Sequence, residues 1–259
     1  FGTGAVYCCT FGGAQDIEWA EKHRLQPVHV IEKDGKMNDL AGRYKGLYPK
    51  QAREAIIKEL ADQGAVEKVQ EITHTVNVHE RCQREVEFIE TVQWYIRYLD
   101  LRERFLELGG KLRWRPEYMK HRYDNWVKGL KWDWCISRQR YFGVPFPVWY
   151  CAKCSAVMLA EENQLPVDPL TDKPKGKCKC GSTGFEPEKD VLDTWATSSL
   201  TPQINGRWAL KDSLFKKIFP MSLRPQAHDI ISFWLFNTVV KAQLHNKSLP
   251  WKDVMISGY

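Results

Sequence analysis

No apolar run in the 259 residues approaches the roughly 20 needed to cross a bilayer, and no charged-apolar-small pattern of a secretory leader opens the chain. A membrane span is therefore not expected, and a cytoplasmic location is. There is no internal repeat, which excludes solenoids and propellers, and no low-complexity tract. The chain also has no initial methionine. It begins Phe1-Gly2-Thr3-Gly4 and stops at Ser257-Gly258-Tyr259, which reads as an interior piece of a longer protein. Hydrophobic residues at 43% and charged residues at 27% are in the range of an ordinary globular chain, long enough for one large domain or two to three small ones.

Cysteine is present, with eight residues, but not in the density of a secreted disulfide scaffold. Cys8, Cys9, Cys82 and Cys135 sit in apolar or aromatic surroundings and read as reduced thiols. Cys151, Cys154, Cys178 and Cys180 form two close pairs, C-x2-C and C-x-C, joined by a polar loop. Each pair can span one edge of a tetrahedron, so the spacing predicts a structural zinc site, with two disulfides or unrelated core thiols as the alternative. Gly176 and Gly181 give the ligand turns backbone freedom. Four thiolates close the coordination sphere, so such a metal would organise the fold and activate no water.

The net charge of +6 is unevenly placed: between Arg97 and Arg140 stand twelve Lys/Arg against six Asp/Glu. Phe105, Trp114, Tyr118, Tyr123, Trp126, Trp132, Trp134, Tyr141 and Phe142 interleave with them. Cations beside aromatic faces suit a nucleic acid, and equally a solvated helical face over an aromatic core.

Along the chain, Ala5 to Thr10 reads as a buried strand broken by Phe11-Gly12-Gly13, Asp16 to His23 as a short helix, and Val28 to Ile31 as a second strand. Pro49 opens a helix whose stripe Ala52, Ala55, Ile56 and Leu60 would dock on a sheet before Gly64 ends it. Helical patterns dominate from Glu85 to Leu130, with Gly109-Gly110 expected to end one helix and Pro116 to stand near the start of another. Tyr141 to Tyr150, with two prolines, is extended. Asp229 to His245 is apolar on nearly every face, a helix packed on both sides, and Val254 to Ser257 reads as a buried parallel strand.

Several segments together resemble one family, the class I aminoacyl-tRNA synthetases for branched aliphatic amino acids. Trp134-Cys135-Ile136-Ser137-Arg138-Gln139-Arg140-Tyr141-Phe142-Gly143-Val144-Pro145 is similar to one of its signatures, and Asp190-Val191-Leu192-Asp193-Thr194-Trp195 to another. Phe1 to Asp16 resembles a strand and loop of the inserted editing domain. Ala196 to Pro202 and Leu223 to Trp234 look like the valine-specific, archaeal-type branch rather than the isoleucine-specific one.

The resemblance implies an α/β fold: the second half of a Rossmann-type nucleotide-binding fold, with part of an editing domain and a zinc insertion. The implied divisions are 1–88 editing domain, 89–148 helical connector, 149–186 zinc insertion and 187–259 half of the nucleotide fold. It implies valine, ATP with magnesium, and tRNA(Val) as partners of a monomer, with zinc as structural metal. Trp195 and Ile230 would wall the valine side chain, Asp229 would pair with its ammonium, and Gly258 would let adenine approach. Asp16 would bind the ammonium of threonine on mischarged tRNA, with a cap on its helix as the alternative role. Asp229 too could be a plain N-cap, and Trp195 plain core.

No residue stands out as an editing base, and His74 and His79 read as loop or core histidines. Arg113, Arg115, Arg138 and Arg140 are candidates for tRNA phosphates. The family's H-I-G-H and K-M-S-K-S motifs and its threonine-rich editing peptide are not in this chain, so the chain alone is not expected to charge tRNA. Other readings are an isoleucine-specific relative, a non-catalytic zinc-stabilised RNA-binding module, and a free-standing deacylase of mischarged tRNA.

Overall fold

The computed structural model describes residues 3–9, 12–211 and 213–258. Phe1, Gly2, Thr10, Phe11 and Tyr259, on which parts of the expected strands and motif blocks fall, lie outside the described residues. The chain divides into two compact units, 1–92 and 93–259.

Among its described residues the first unit holds two α-helices, α1 (Ala14–His23) and α2 (Pro49–Asp62). Among the described residues the two expected strands do not form. Residues 5–9 carry no strand pairing, with Val6 67% and Tyr7 88% exposed, and residues 28–31 contribute only the isolated bridge Ile31–Met37. A strand satisfies its backbone only through a neighbouring strand, and among the described residues neither segment builds a paired ladder. The apolar stripe of α2 accordingly docks on no sheet. Ala52 is buried, while Ile56 lines a cleft with Pro49. Arg43 and Tyr44 both bond Glu59 of α2, at 2.6 and 2.5 Å, which fastens the preceding 3-10 turn to the helix.

The second unit runs β1 (Tyr95–Ile96), α3 (Arg102–Lys111), β2 (Arg113–Arg115), α4 (Lys120–Lys128), β3 (Trp134–Cys135), β4 (Ser137–Arg138), β5 (Val148–Cys151), β6 (Val157–Leu159), β7 (Phe185–Pro187), β8 (Val191–Leu192), α5 (Thr194–Ser198), α6 (Thr201–Asn205), α7 (Ser213–Ile218), β9 (Met221–Ala227), α8 (Phe236–Asn246) and β10 (Trp251–Ser257). Its centre is a parallel sheet in the order β2-β10-β9, with Val254 beside both Trp114 and Arg224. The expected terminal parallel strand is thus present, and it begins three residues earlier, at the buried Trp251.

Helices α3, α4 and α8 belong to the same core through a chain of edge-to-face rings. Tyr98, Phe105 and Tyr123 each meet Phe236 at 5.5 to 5.9 Å between centroids. This packing explains why the Gly109-Gly110 pair does not end its helix. A Cβ at Gly109 would lie 2.3 Å from the Tyr123 ring, and the Gly109 carbonyl accepts from the Trp114 indole at 2.9 Å. The glycine is there for close approach, and α3 runs on to Lys111.

The apolar segment after β9 also departs from one regular helix. It opens as a 3-10 turn (His228–Ile230), passes through a π turn (Ile231–Leu235) and becomes α-helical only at Phe236. The N-cap position falls on Ala227, so Asp229 stands inside the first turn and does not cap the helix.

Candidate active site and metal centre

The two signature blocks, far apart in sequence, meet in one place. Strands β4 and β8 pair antiparallel, with Ser137 opposite Leu192 and Arg138 opposite Val191. Around this pair, Gln139 donates to Asp190 at 2.7 Å, and the buried Asp193 carboxylate accepts from the Trp134 indole at 3.3 Å and lies 3.4 Å from Arg138. Arg138 further donates to the carbonyls of Cys135 and Ser137 at 3.0 and 2.8 Å. Asp193 therefore fixes the start of α5, and the next turn presents Trp195.

Trp195 is half-buried in a cleft of about 480 Å³, together with Trp126, Trp134, Asp193, Phe233 and Asn237. Its ring stacks on Phe233 at 5.8 Å and 17°, and Phe233 meets Trp126 of α4 at 5.6 Å. On the other side of the π turn, Trp234 donates to the Ser198 carbonyl at 3.2 Å, so both ends of α5 are tied to the segment that follows β9. The extra residue of a π turn is a recurrent feature of functional sites.

Asp229 is exposed in a second cleft of about 400 Å³, lined also by Arg122, Ser232 and His228. The two clefts share Asn125 and Trp126 of α4. Trp195 and Asp229 thus do not face a single closed cavity, and Trp126 stands between them. Ile230 is half-buried beside Asp229 and lines neither cleft. Asp229 lies two residues past the end of β9 and Gly258 one past the end of β10, so both stand at the carboxyl ends of adjacent parallel strands, where α/β sheets take ligands. A Cβ at Gly258 would meet nothing within 4 Å. Asn125, Trp126 and Phe233 join the site without standing out in the sequence. For Trp126 and Phe233 the only signal there is the aromatic content of the basic stretch and of the segment after Asp229, and Asn125 has none.

The basic candidates separate into engaged and free. Arg113 grips Asp253 with two bonds at 2.8 and 2.5 Å and, through this pairing, holds the Asp253 carboxyl below its usual range. Arg115 lies 3.9 Å from the same carboxylate. Arg138 is half-buried on Asp193, whereas Arg140 is exposed.

In the first unit a cleft of about 720 Å³ is lined by Cys8, Cys9, Gly12, Val28, Ala52 and Phe88, among others. Asp16 stands at the third position of α1, after the N-cap Gly13, and is not part of that lining. Its main-chain carbonyl accepts from the Cys8 thiol at 3.6 Å; burial first, and then the Asp16 charge, push that thiol up. His74 and His79 are exposed, and His79 lies 3.3 Å from the Cys82 sulfur in a local turn.

The four-cysteine spacing does form a cluster. Cys151 ends β5, the central strand of the antiparallel sheet β6-β5-β7, and Cys178 and Cys180 stand in the loop before β7. Sulfur pairs Cys151–Cys180 and Cys154–Cys178 are 3.6 Å apart, and all four sulfurs lie within 4.8 Å of one another. A tetrahedron with metal–sulfur bonds of about 2.3 Å has edges of about 3.8 Å, so the set fits a thiolate-bound metal. Gly176 and Gly181 take the left-handed φ values of 88° and 84° that the turns were expected to need.

Burial would raise the Cys151 thiol, yet the N–H groups of Cys154 and Lys153 and the neighbouring thiols bring it down to about 6. Cys154 gains from the Ala156 N–H but is pushed up to about 12 by the other three sulfurs.

The sheet that carries Cys151 is fastened to the rest of its unit by Glu188. Its carboxylate accepts from the Tyr150 hydroxyl at 2.5 Å, the Trp94 indole at 2.8 Å, and the N–H groups of Lys189 and Asp190 at 2.8 and 2.9 Å. Burial alone would raise this carboxyl, but the four donors hold it below the usual range.

The family model described as tRNA synthetases class I (I, L, M and V) matches residues 14–259. The chain is 53% identical over 260 residues to the valine–tRNA ligase of Thermoplasma acidophilum, covering 100% of this chain and 32% of that protein. With the enzymes of Haloarcula marismortui and Methanocaldococcus jannaschii it shares 50% and 44% identity, over 99% and 100% of this chain and 29% of each relative. It spans about a third of the length of the relatives it matches. Mycobacterium tuberculosis methionyl-tRNA synthetase bound by methionyl-adenylate aligns loosely, at 15% identity over 74% of this chain and 31% of that one, with a TM-score of 0.46. The family match alone covers nearly the whole chain, which therefore belongs to the class I tRNA synthetases of the isoleucine, leucine, methionine and valine group.

Proposed function

We propose that this chain is the central part of a valine–tRNA ligase, which activates valine with ATP as valyl-adenylate and transfers it to tRNA(Val). The observation that carries this reading is identity of 44 to 53% along the whole chain with valine–tRNA ligases. The geometry agrees in type. Trp195 offers an apolar wall, Asp229 an anion for the ammonium, and Trp126 separates the two, so a small zwitterion would lie across the Trp126 edge with its methyls toward Trp195. Ile230 would close the wall, and Gly258 would leave the end of β10 open for adenosine. Magnesium would accompany the ATP phosphates.

A pocket sized for valine's methyls cannot strongly reject threonine, which differs by a hydroxyl; this enzyme class is the standing example of that limit. A separate hydrolytic site is therefore part of the proposal. Residues 1–88 would contribute to it, with Asp16 on the ammonium of mischarged threonine and the nearby cleft of the first unit for the tRNA end. Residues 89–148 would connect, 149–186 would hold structural zinc on Cys151, Cys154, Cys178 and Cys180, and 187–259 would form half of the nucleotide fold. The longer protein would act as a cytoplasmic monomer, and this chain alone would not charge tRNA. No helix among the described residues is long and apolar enough to cross a membrane.

The test is ATP–pyrophosphate exchange by the full-length protein with valine, isoleucine and threonine in turn. Exchange driven by valine well above isoleucine is expected. Preference for isoleucine would move the chain to the sister specificity, and no exchange with any of the three would defeat the ligase reading.

A further inference from the structure

Between the two signature blocks the chain bends at Tyr141-Phe142-Gly143 and leaves two large rings in the open. Tyr141 is 92% and Phe142 85% exposed, and their centroids are 4.9 Å apart at 89°. Scattered single apolar side chains on a surface need no explanation, but two adjacent, nearly bare rings do.

The bend is not loose. A Cβ at Gly143 would lie 2.5 Å from Val191 Cγ2, so the backbone is pressed onto that buried side chain. The Leu192 N–H donates to the Val144 carbonyl at 2.7 Å and Pro145 bridges Val191. On the near side, β4 pairs with β8. The rings therefore stand on a fixed base. Edge-to-face packing covers a face of only one of the two rings, where a parallel stack would cover one of each.

We propose that Tyr141 and Phe142 form a stacking platform for the unpaired bases at the 3′ end of the tRNA, with Arg140 on the adjoining phosphate. This rests on the proposed function, which supplies the tRNA. Charge favours RNA over an apolar protein segment as the occupant: the stretch from Arg97 to Arg140 carries twelve cations against six anions. Within it Arg113 and Arg138 are engaged by Asp253 and Asp193, while Arg140, next to the rings, is exposed. An aromatic face flanked by a cation matches what a single-stranded nucleotide presents, a base and a phosphate.

The experiment uses the full-length protein with Tyr141→Ala/Phe142→Ala, Tyr141→Phe/Phe142→Tyr and Arg140→Ala. Valine-dependent ATP–pyrophosphate exchange, which needs no tRNA, is expected to stay within about twofold of wild type in all three. The KM for tRNA in aminoacylation is expected to rise about tenfold in the double alanine variant and to be preserved in the ring-swapped one. For Arg140→Ala the salt dependence of tRNA binding should flatten by about one in log–log slope. With tRNA trimmed of its unpaired 3′ nucleotides, the double alanine variant and wild type should bind alike.

An unchanged KM, or an equal loss on trimmed tRNA, overturns the proposal. So does a parallel fall of exchange and thermal stability, which would mean that another part of the protein covers the rings. Should the double alanine variant fail to fold, Tyr141→Leu/Phe142→Leu takes its place, keeping apolar bulk without a ring face. The same rise in KM for tRNA supports the platform, and an unchanged KM overturns it. Failure of the wild type to exchange with valine would instead defeat the functional reading, and the two failures are distinguishable.

Discussion

The two compact units of this chain treat similar sequence signals differently. In the second, segments with strand character find partners: β10 pairs on both sides, β5 pairs on both sides, and two signature blocks meet through β4 and β8. In the first, β-prone segments such as residues 5–9, 28–31 and 65–76 form isolated bridges at most among the described residues. Its apolar side chains Val6, Tyr7, Val69 and Ile72 are exposed. Helices close their own hydrogen bonds and form in both units, whereas a strand depends on what lies beside it. The difference shows that periodicity names an element, and that a partner decides whether it exists.

Removing the metal-ligand set should widen this contrast most. Cys178→Ser, or a strong chelator, is expected to release about one zinc per chain from the full-length protein and to abolish hydrogen-exchange protection in 148–159 and 185–187. Protection in α2 of the first unit should not change. Unaltered protection of the sheet would show that the cysteine cluster is not its staple.

A smaller effect is expected inside the aromatic core. Gly109→Ala would press a methyl onto the fully buried Tyr123 ring, which is itself fixed by its hydroxyl on the Phe105 carbonyl at 2.9 Å. Overpacking of this kind costs about 1–3 kcal/mol and outweighs the roughly 1 kcal/mol that alanine gains in a helix. Denaturant unfolding should place the variant below wild type, and a variant at or above it would contradict the close-approach role of this glycine.

Glu188→Gln tests the latch between the cysteine-cluster sheet and Trp94, with an expected loss of about 1–2 kcal/mol as an ionised acceptor of four bonds becomes a neutral one. The sign of the pH dependence follows from the lowered carboxyl. Its stabilisation is fully present above the unfolded pKa of about 4.3 and is lost as pH falls through the lower folded value. The difference in stability between wild type and variant should therefore shrink on acidification below that point. A difference that stays constant with pH would rule the charge out as its source.

The smallest effect belongs to the first unit. Val69→Thr, at an exposed position on an unpaired segment, should shift unfolding by less than about 0.5 kcal/mol. A large loss would mean that this segment is partnered in the full-length protein.

Legibility in the sequence follows the same divide. The four cysteines are readable because two short spacings fix their geometry locally, and Gly176 and Gly181 are readable because a ligand turn needs their φ. Helices α1 and α2 and the last parallel strand are readable from caps and apolar runs. Gly109 has the look of a terminator because its purpose is set by Tyr123, fourteen residues away in another helix. The π turn after β9 is hidden because an all-apolar segment has no periodicity to break, and it is this turn that puts Phe233 on Trp195 and Trp234 on Ser198. The role of Trp126 between the two clefts depends on α4 lying across the end of the site, which no local pattern announces.

The central claim is that Trp195 and Asp229, on either side of Trp126, hold one small aliphatic amino acid. Steady-state ATP–pyrophosphate exchange by the full-length protein, wild type against Trp195→Ala and Asp229→Asn, addresses it directly. The account predicts a KM for valine raised at least tenfold in each variant with the KM for ATP within about twofold, since one removes the apolar wall and the other the ammonium's counter-charge. Unchanged KM for valine in both, with the proteins folded, would contradict it.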